Sequence, residues 1–480
     1  MLSFPQRCLV AGRAFWFYLG KLLWPANLCF VYPRWNPDSS SVWQWVYPIA
    51  AAGIVLGLWF ARGRIGRGPA TAVLFYLGAL FPLLGFLNAY GMRYSFVWDH
   101  WVYLPGLGII ALVGALITWT SKSLRSPAMA YGFAVIVLPM LAFLTWRQAG
   151  TFINMETLWR VTIARNPHSY LAYDSLGIIS LQKGELDEAL ILFRKAVEIQ
   201  LNPETCNNLG LALLRKGNVD EALIFFRKAV ELQSNSATCN SLGLALIRKG
   251  NVDEAINYFR KAVEHDPNNA DAQDSLGLAL LQKGRLDEAM VHLQKAVAVR
   301  PNDAKAQNNL GSALLLKGQW TEAAAHLRKA LELQPDFAEA CGNLGFLSLH
   351  EGQTRAAVAY FQRTLALQPD NADACKYLAW ILATSPDASV RNGVQAVELA
   401  QQADRLSGGN NPAILATLAA AEAEVGHFPD ALATAQKALP LANAQTNTAV
   451  VNALRNQIGF YKKDLPFRDN SLTNIQAVTQ

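Results

Sequence analysis

Residues 240–267 read NSLGLALIRKGNVDEAINYFRKAVEHDP, and nearly the same text stands on either side of them. NNLGLALLRKGNVDEALIFFRKAVELQ occupies 207–233, and DSLGLALLQKGRLDEAMVHLQKAVAVRP occupies 274–301. Each copy holds two stretches whose apolar residues recur three and four apart, the spacing of one helix face. A Lys-Gly turn separates them, where glycine supplies a left-handed C-terminal cap. Working outward, a glycine recurs in the first stretch at Gly177, Gly210, Gly243, Gly277, Gly311 and Gly345, spaced 33, 33, 34, 34 and 34. Twelve residues after each comes an alanine: Ala189, Ala222, Ala255, Ala289, Ala323 and Ala357. Small residues at both places let two helices approach closely, and the remaining Leu, Phe and Val make faces that only a neighbouring copy can bury. Pro267, Pro301, Pro335 and Pro369 each close a copy where a helix must stop.

This period and these small-residue positions resemble the tetratricopeptide repeat. The resemblance implies an all-α chain in which helical hairpins stack into a right-handed α-solenoid over 170–445. Six regular repeats fill 170–371; a seventh has Ala379 in place of the glycine and a longer turn, TSPDASVRNG, at 384–393. An eighth, degenerate hairpin follows GGNNP, as terminal repeats often differ from the rest. Residues 154–169 read as a linking helix, and 446–480 as a C-terminal helix with a polar tail.

The net charge of +6 is unevenly divided. Residues 1–150 carry eleven Lys or Arg against Asp38 and Asp99, whereas the rest is close to neutral. Ten of the thirteen Trp also fall in that first part, which suits a membrane-interface belt. A transmembrane region is therefore expected over 42–146, with four uncharged spans at about 42–60, 69–88, 102–120 and 127–146. Arg62, Arg64 and Arg67 in one loop, and Lys122 and Arg125 in another, place those loops in the cytoplasm by the positive-inside rule. The repeats then stand on the periplasmic or extracytoplasmic side of an inner (plasma) membrane. Residues 1–41, with Arg13, Lys21 and Pro25 interrupting an apolar run at 9–31, read as an interfacial amphipathic segment, with a fifth span as the alternative. Basic charge in loops of this kind does not make a nucleic-acid patch, and no nucleic-acid partner is expected.

The residues expected to line the inner face of the solenoid are the pairs just before each Leu-Gly: Asp174-Ser175, Asn207-Asn208, Asn240-Ser241, Asp274-Ser275, Asn308-Asn309 and Gly342-Asn343. Short amides and hydroxyls stacked once per repeat offer hydrogen bonds to an extended peptide backbone. The arrangement is similar to the asparagine ladder in the repeats of O-linked N-acetylglucosamine transferase. Further along the same helices, Gln182, Arg215, Arg248, Gln282, Leu316 and His350 read as solvated helix ends. Cys206, Cys239, Cys341 and Cys375 share one repeat position and read as buried packing residues, because packed helices hold equivalent positions too far apart to bridge. His292 and His326 read as exposed. No metal ligand set, cofactor motif or catalytic residue is assigned.

FVYPRWNPD (30–38) and RYSFVWDHWVYLPGLG (93–108), followed by spans and repeats, resemble the C-terminal half of tetratricopeptide-containing protein O-mannosyltransferases, membrane glycosyltransferases of the C-type fold. The resemblance implies a lipid partner, a polyprenyl-phosphate sugar, whose phosphate Arg93, His100 and Tyr103 would contact, with repeats that present acceptor polypeptide. The family's catalytic carboxylates lie in an earlier external loop that this sequence does not include. Two functions are thus expected: a membrane-anchored scaffold that holds a protein or peptide, or the C-terminal part of a protein O-glycosyltransferase.

Overall fold

The computed structural model describes residues 2–25, 28–81, 84, 103–123 and 127–472, in two units, Met1–Ser234 and Asn235–Gln480. Among the described residues every regular element is helical.

The first unit opens with α1 (Phe4–Leu23), α2 (Val46–Ile65), α3 (Gly68–Leu80), α4 (Tyr103–Ser123) and α5 (Pro127–Ala149). Three stretches are long and apolar enough to cross a membrane: Val42–Ile65, Leu104–Ser123 and Val135–Phe152. α3 is a shorter apolar helix, and most of the remainder of the expected second span lies outside the described residues. The outward faces of these helices are apolar, with Trp43 82% and Phe60 81% exposed. Within residues 1–41, expected as an interfacial segment, α1 is docked on its neighbours. Phe15 and Tyr18 share a core with Tyr76, Leu80 and Ile109. The Tyr76 hydroxyl donates to the Phe15 carbonyl at 2.8 Å. A Cβ on Gly12 would lie 2.4 Å from the Pro48 backbone, so α1 and α2 meet main chain to main chain only because that position is glycine. The charges expected to hold α1 at a surface face aromatic rings: Arg13 lies 4.7 Å from the centre of Trp35, and Lys21 5.5 Å from Tyr32.

The segment after α1 reaches the repeat region of the same unit. The Val31 carbonyl accepts from Asn166 Nδ2 at 3.1 Å, and the Phe30 and Trp159 rings meet edge to face at 5.4 Å. Val31 packs with Trp159, Ala172, Leu176 and Leu192, covering the edge of α6 (Met155–Arg165) and of the hairpin α7 (Tyr170–Lys183) and α8 (Leu186–Ile199). The hairpin α9 (Pro203–Arg215) and α10 (Val219–Leu232) completes the unit.

The second unit continues the hairpins: α11 (Ser236–Arg248) with α12 (Val252–His265), α13 (Ala270–Gln282) with α14 (Leu286–Val299), α15 (Ala304–Lys317) with α16 (Trp320–Leu333), and α17 (Ala338–His350) with α18 (Thr354–Leu367). Then come α19 (Ala372–Thr384) with α20 (Gly393–Leu406), α21 (Pro412–Glu424) with α22 (Phe428–Ala444), and a last helix, α23 (Thr448–Tyr461).

Each regular hairpin closes on one contact. A Cβ added to Gly177, Gly210, Gly243 or Gly345 would lie 2.4–2.9 Å from the ring of Phe193, Phe226, Phe259 or Phe361, sixteen residues later on the second helix. At Gly277 and Gly311 the same place is taken by Leu293 and Leu327. These side chains are at most 2% exposed, and burial of each stabilises by about 1.5–3 kcal/mol. The turn between helices is held by a glycine with φ between 70° and 88° (Gly184, Gly217, Gly250, Gly284, Gly318 and Gly352). Ion pairs then bridge one hairpin to the next: Lys216 to Asp187 at 2.6 Å and Arg194 to Glu221 at 2.7 Å in the first unit, Lys317 to Asp287 at 2.9 Å and Arg260 to Glu288 at 2.8 Å in the second. This explains why the repeated text carries Lys before the turn glycine, Asp-Glu after it and Arg in the second helix. The pairs are solvent-exposed and worth at most about 1 kcal/mol each, so they set register more than stability.

Cys206, Cys239, Cys341 and Cys375 are fully buried and unbridged. The two histidines differ from expectation, being half-buried. His292 Nδ1 lies 2.7 Å from Gln273 Oε1, and His326 Nδ1 2.7 Å from Gln307 Oε1. Each glutamine Nε2 donates to the carbonyl of Pro267 or Pro301, at 2.9 and 2.8 Å. A carbonyl only accepts, so each Gln Oε1 must face its histidine, and Nδ1 carries the proton. Gln273 and Gln307 occupy the repeat position that the cysteines hold elsewhere. A buried amide thus replaces a thiol where a histidine is at hand to satisfy it.

Glycine inside a helix is normally worth about 1 kcal/mol less than alanine, so the Gly–Phe contact predicts a reversed sign. Gly243→Ala should destabilise by about 1–3 kcal/mol through overpacking against Phe259. Gly342→Ala in α17, where the nearest atom to a Cβ is 3.8 Å away, should be neutral or stabilising. Urea denaturation of the two variants checks the pair, and the same sign for both would exclude the contact as the closing constraint.

Candidate functional site

In each unit the first helices touch in succession, α7 with α9, α11 with α13, α13 with α15 and α15 with α17, more closely than any second helices do. The residues expected to form the ladder lie on this first-helix face, and the structure shows how they are used. Asn208 Nδ2 donates to Asp174 Oδ1 at 3.1 Å in the first unit. In the second, Asn309 Nδ2 donates to both oxygens of Asp274, at 2.9 and 3.0 Å, and Asn343 Nδ2 donates to Asn308 Oδ1 at 2.9 Å. The second member of a pair therefore reaches back to the first member of the preceding repeat. The ladder is partly closed on itself and staples repeats together, which fixes the orientation of each amide. Asp174, Ser241, Asn308 and Asn309 are buried; Ser175, Asn207, Asn208, Asn240, Asp274, Ser275 and Asn343 are half-buried. The Oδ1 atoms of Asn207 and Asn240 are enclosed without a hydrogen-bond partner.

Burial raises the carboxyls of Asp174 and Asp274 above the ordinary range, and the asparagine donors only partly offset it. The face is thus rich in acceptors. It suits donors of an incoming chain: backbone N–H groups, or the head of a Lys or Arg.

One line of side chains went unread in the sequence. The residue after each helix-packing glycine lies one turn beyond the ladder pair on the same face. Ile178 is 39% exposed, Leu244 40%, Leu278 37% and Phe346 38%. In the second unit Leu244, Leu278 and Phe346 form a strip beside the polar ladder, interrupted by Ser312 in the repeat between the last two; Ile178 holds the same position in the first unit. The signal was present as Gly-Ile, Gly-Leu and Gly-Phe, but a helix pattern assigns such residues to the core, and only stacking shows them outside it. At the far end of these helices Leu316 is exposed, and His350 stacks on Trp320 with ring centres 3.6 Å apart. Of the residues expected at a lipid phosphate, Arg93 and His100 lie outside the described residues; Tyr103 begins α4, and its side chain is not among those described.

Family models of the tetratricopeptide repeat match residues 170–203, 203–236, 246–312, 291–336 and 314–374. These residues are tetratricopeptide repeats. Solved structures match part of the chain. Pseudomonas aeruginosa PilF is 20% identical over 44% of this chain and 96% of its own, with a TM-score of 0.40. YrrB, described as a tetratricopeptide protein with an unusual peptide-binding site, is 27% identical over 38% of this chain and 95% of its own, with a TM-score of 0.31. MamA from Desulfovibrio magneticus is 25% identical over 35% and 96%, with a TM-score of 0.32. No curated protein matches the sequence. The likeness of the N-terminal part to protein O-mannosyltransferases stands on residues 30–38 and 93–108 alone.

Asp274 gives a pH test. Its folded-state pKa is raised, so the folded chain holds a proton that the unfolded chain releases, and its contribution to stability falls as pH rises from the unfolded carboxylate value through the folded one. Asp274→Asn keeps an acceptor for Asn309, as Asn308 does for Asn343. The variant should be more stable than the parent at pH 7 and should lose that advantage near pH 4, as read from denaturation midpoints at both values.

Proposed function

We propose that this protein is a membrane-anchored scaffold whose tetratricopeptide repeats hold an extended segment of a partner protein along the first-helix face. The observation that carries the reading is the pairing, within the second unit, of the open apolar residues Leu244, Leu278 and Phe346 with the acceptor-rich ladder of Asp274, Asn308, Asn309 and Asn343; Ile178 beside Asp174 and Asn208 repeats it within the first unit. Extended peptides alternate side chains with backbone donors, and a face offering apolar contacts beside fixed acceptors complements both. The pre-set asparagines lower the ordering cost of binding. Tetratricopeptide scaffolds are suited to protein–protein interaction, and the apolar residues beside fixed acceptors support the choice of an extended segment.

Anchorage is proposed from the three apolar helical stretches and the Arg62, Arg64 and Arg67 loop, with the repeats on the extracytoplasmic side. The transferase reading, with a polyprenyl-phosphate sugar held at Arg93, His100 and Tyr103, is carried by the sequence resemblance alone and takes second place.

Displayed random peptides selected on the purified protein should yield a consensus binder. Leu278→Asp and Phe346→Asp, both at exposed positions, should each weaken that binder about tenfold or more while the melting temperature stays within a few degrees. A binder indifferent to both substitutions would end the first-helix reading. For topology, a membrane-impermeant maleimide should label Val394→Cys in intact spheroplasts, and Ile65→Cys only after permeabilisation. The opposite pattern would invert the orientation.

A further inference from the structure

The strip position that is open at Leu244, Leu278 and Phe346 is half-buried at Trp380 in α19, and the chain's own C-terminal segment covers it. After α23, Asp464 adopts a left-handed conformation (φ 53°), and residues 465–469, outside any helix, lie on the seventh repeat. The Phe467 ring lies 5.9 Å from Trp380, and the Trp380 indole donates to Asp469 Oδ2 at 2.8 Å. The Asp469 amide donates to the Thr384 carbonyl at 2.9 Å, and Arg468 Nη1 to the Ala383 carbonyl at 3.2 Å. Arg468 also pairs with Glu424 at 2.6 Å, and the Thr354 hydroxyl donates to the Leu472 carbonyl. α19 ends at Ser385 without the glycine cap of the regular repeats, so its last carbonyls are open to outside donors, and this segment supplies them.

We propose that residues 465–472 are a resident peptide on the first-helix face of the seventh repeat. The same surface takes, from a partner protein, an extended segment with an aromatic residue two positions before an Asp or Glu. This rests on the reading of the first-helix face as a peptide face and names the chemistry read at its C-terminal end. Three features argue for exchange. The covered Trp380 continues the open strip that reaches Phe346. Phe467, Arg468 and Asp469 remain half-exposed, whereas only Leu472 is buried. The segment's contacts with the seventh repeat are ones that a short peptide could make: one ring, one carboxylate, one guanidinium and main-chain groups, while Phe467 also meets Phe460 of α23 at 5.7 Å. A tethered segment competes at an effective concentration of roughly millimolar, so a partner binds only when it outcompetes the resident or when the resident is released.

The test uses the full chain in detergent and a fluorescent peptide, LPFRDNSL, copied from 465–472. Phe467→Ala combined with Asp469→Ala in the protein should raise its affinity for the probe at least tenfold over the parent. Trp380→Leu in the same background should abolish the gain, and a probe with Ala at its Phe and Asp positions should not bind. Equal binding to parent and double variant, or none to either, would overturn the proposal. Hydrogen exchange on the unaltered chain guards against misfolded variants: the Asp469 and Leu472 amides should exchange at least a hundredfold faster than those in the middle of α19. Equal protection would make the segment an integral part of the fold and sink the idea. Loss of probe binding alone, with the selected peptide still sensitive to Phe346→Asp, removes this inference and leaves the scaffold reading; the reverse result removes the scaffold reading instead.

Discussion

Close approach of two helices at one missing Cβ is the constraint on which the repeat region depends. With a Cβ at Gly243 falling only 2.4 Å from the Phe259 ring, the first and second helices of a hairpin are fixed in separation and angle by a ring pressed on bare backbone. That contact buries the ring completely and leaves the rest of the first helix to face its neighbours. The ladder amides and the strip of exposed apolar residues are consequences of this, since a helix pinned along one side must present its opposite side elsewhere. Leu293 and Leu327 show that the partner need only be large and apolar, and the glycine is the stricter half of the contact.

Contacts between hairpins divide by environment. In water, Lys–Asp and Arg–Glu pairs recur without much energy, each screened and mobile. On the first-helix face, partly out of water, Asn–Asp and Asn–Asn hydrogen bonds are stronger because an unmet partner there is costly. Buried among the helices, Gln273 and Gln307 are admitted only with a histidine and a proline carbonyl to satisfy both ends of the amide. Position for position, polarity falls with burial unless a complete set of partners arrives with it.

The hairpins were legible because glycine, alanine and turn recur at fixed intervals, and a period of this kind has few other physical explanations. The ladder residues were legible as positions, but their pairing was not: whether Asn309 faces solvent or Asp274 depends on the stagger between adjacent helices, which no single repeat encodes. The histidines were misread for a related reason, because their partners lie nineteen residues back on another helix. α1 was hard to place because Arg13 and Lys21 look like surface charges until Trp35 and Tyr32, beyond the helix, fold over them.

Repeats bury their faces against one another, and an array must end on faces that have no further repeat to meet. The two units handle this with segments from outside the period. In the first, Phe30 and Val31 lie on Trp159 and Leu176, so chain that belongs to the apolar helices also closes the edge of the hairpins. In the second, α23 and residues 465–472 cover α19 and α21. The two closures differ in depth: Val31 is 2% exposed and its carbonyl is held by a buried asparagine, whereas Phe467 and Asp469 stay half-exposed, held by the Trp380 indole, the Phe460 ring and helix-end carbonyls. A closure that shallow is stable because it is tethered more than because of its contacts. It covers a site that any free chain of matching chemistry could also fill.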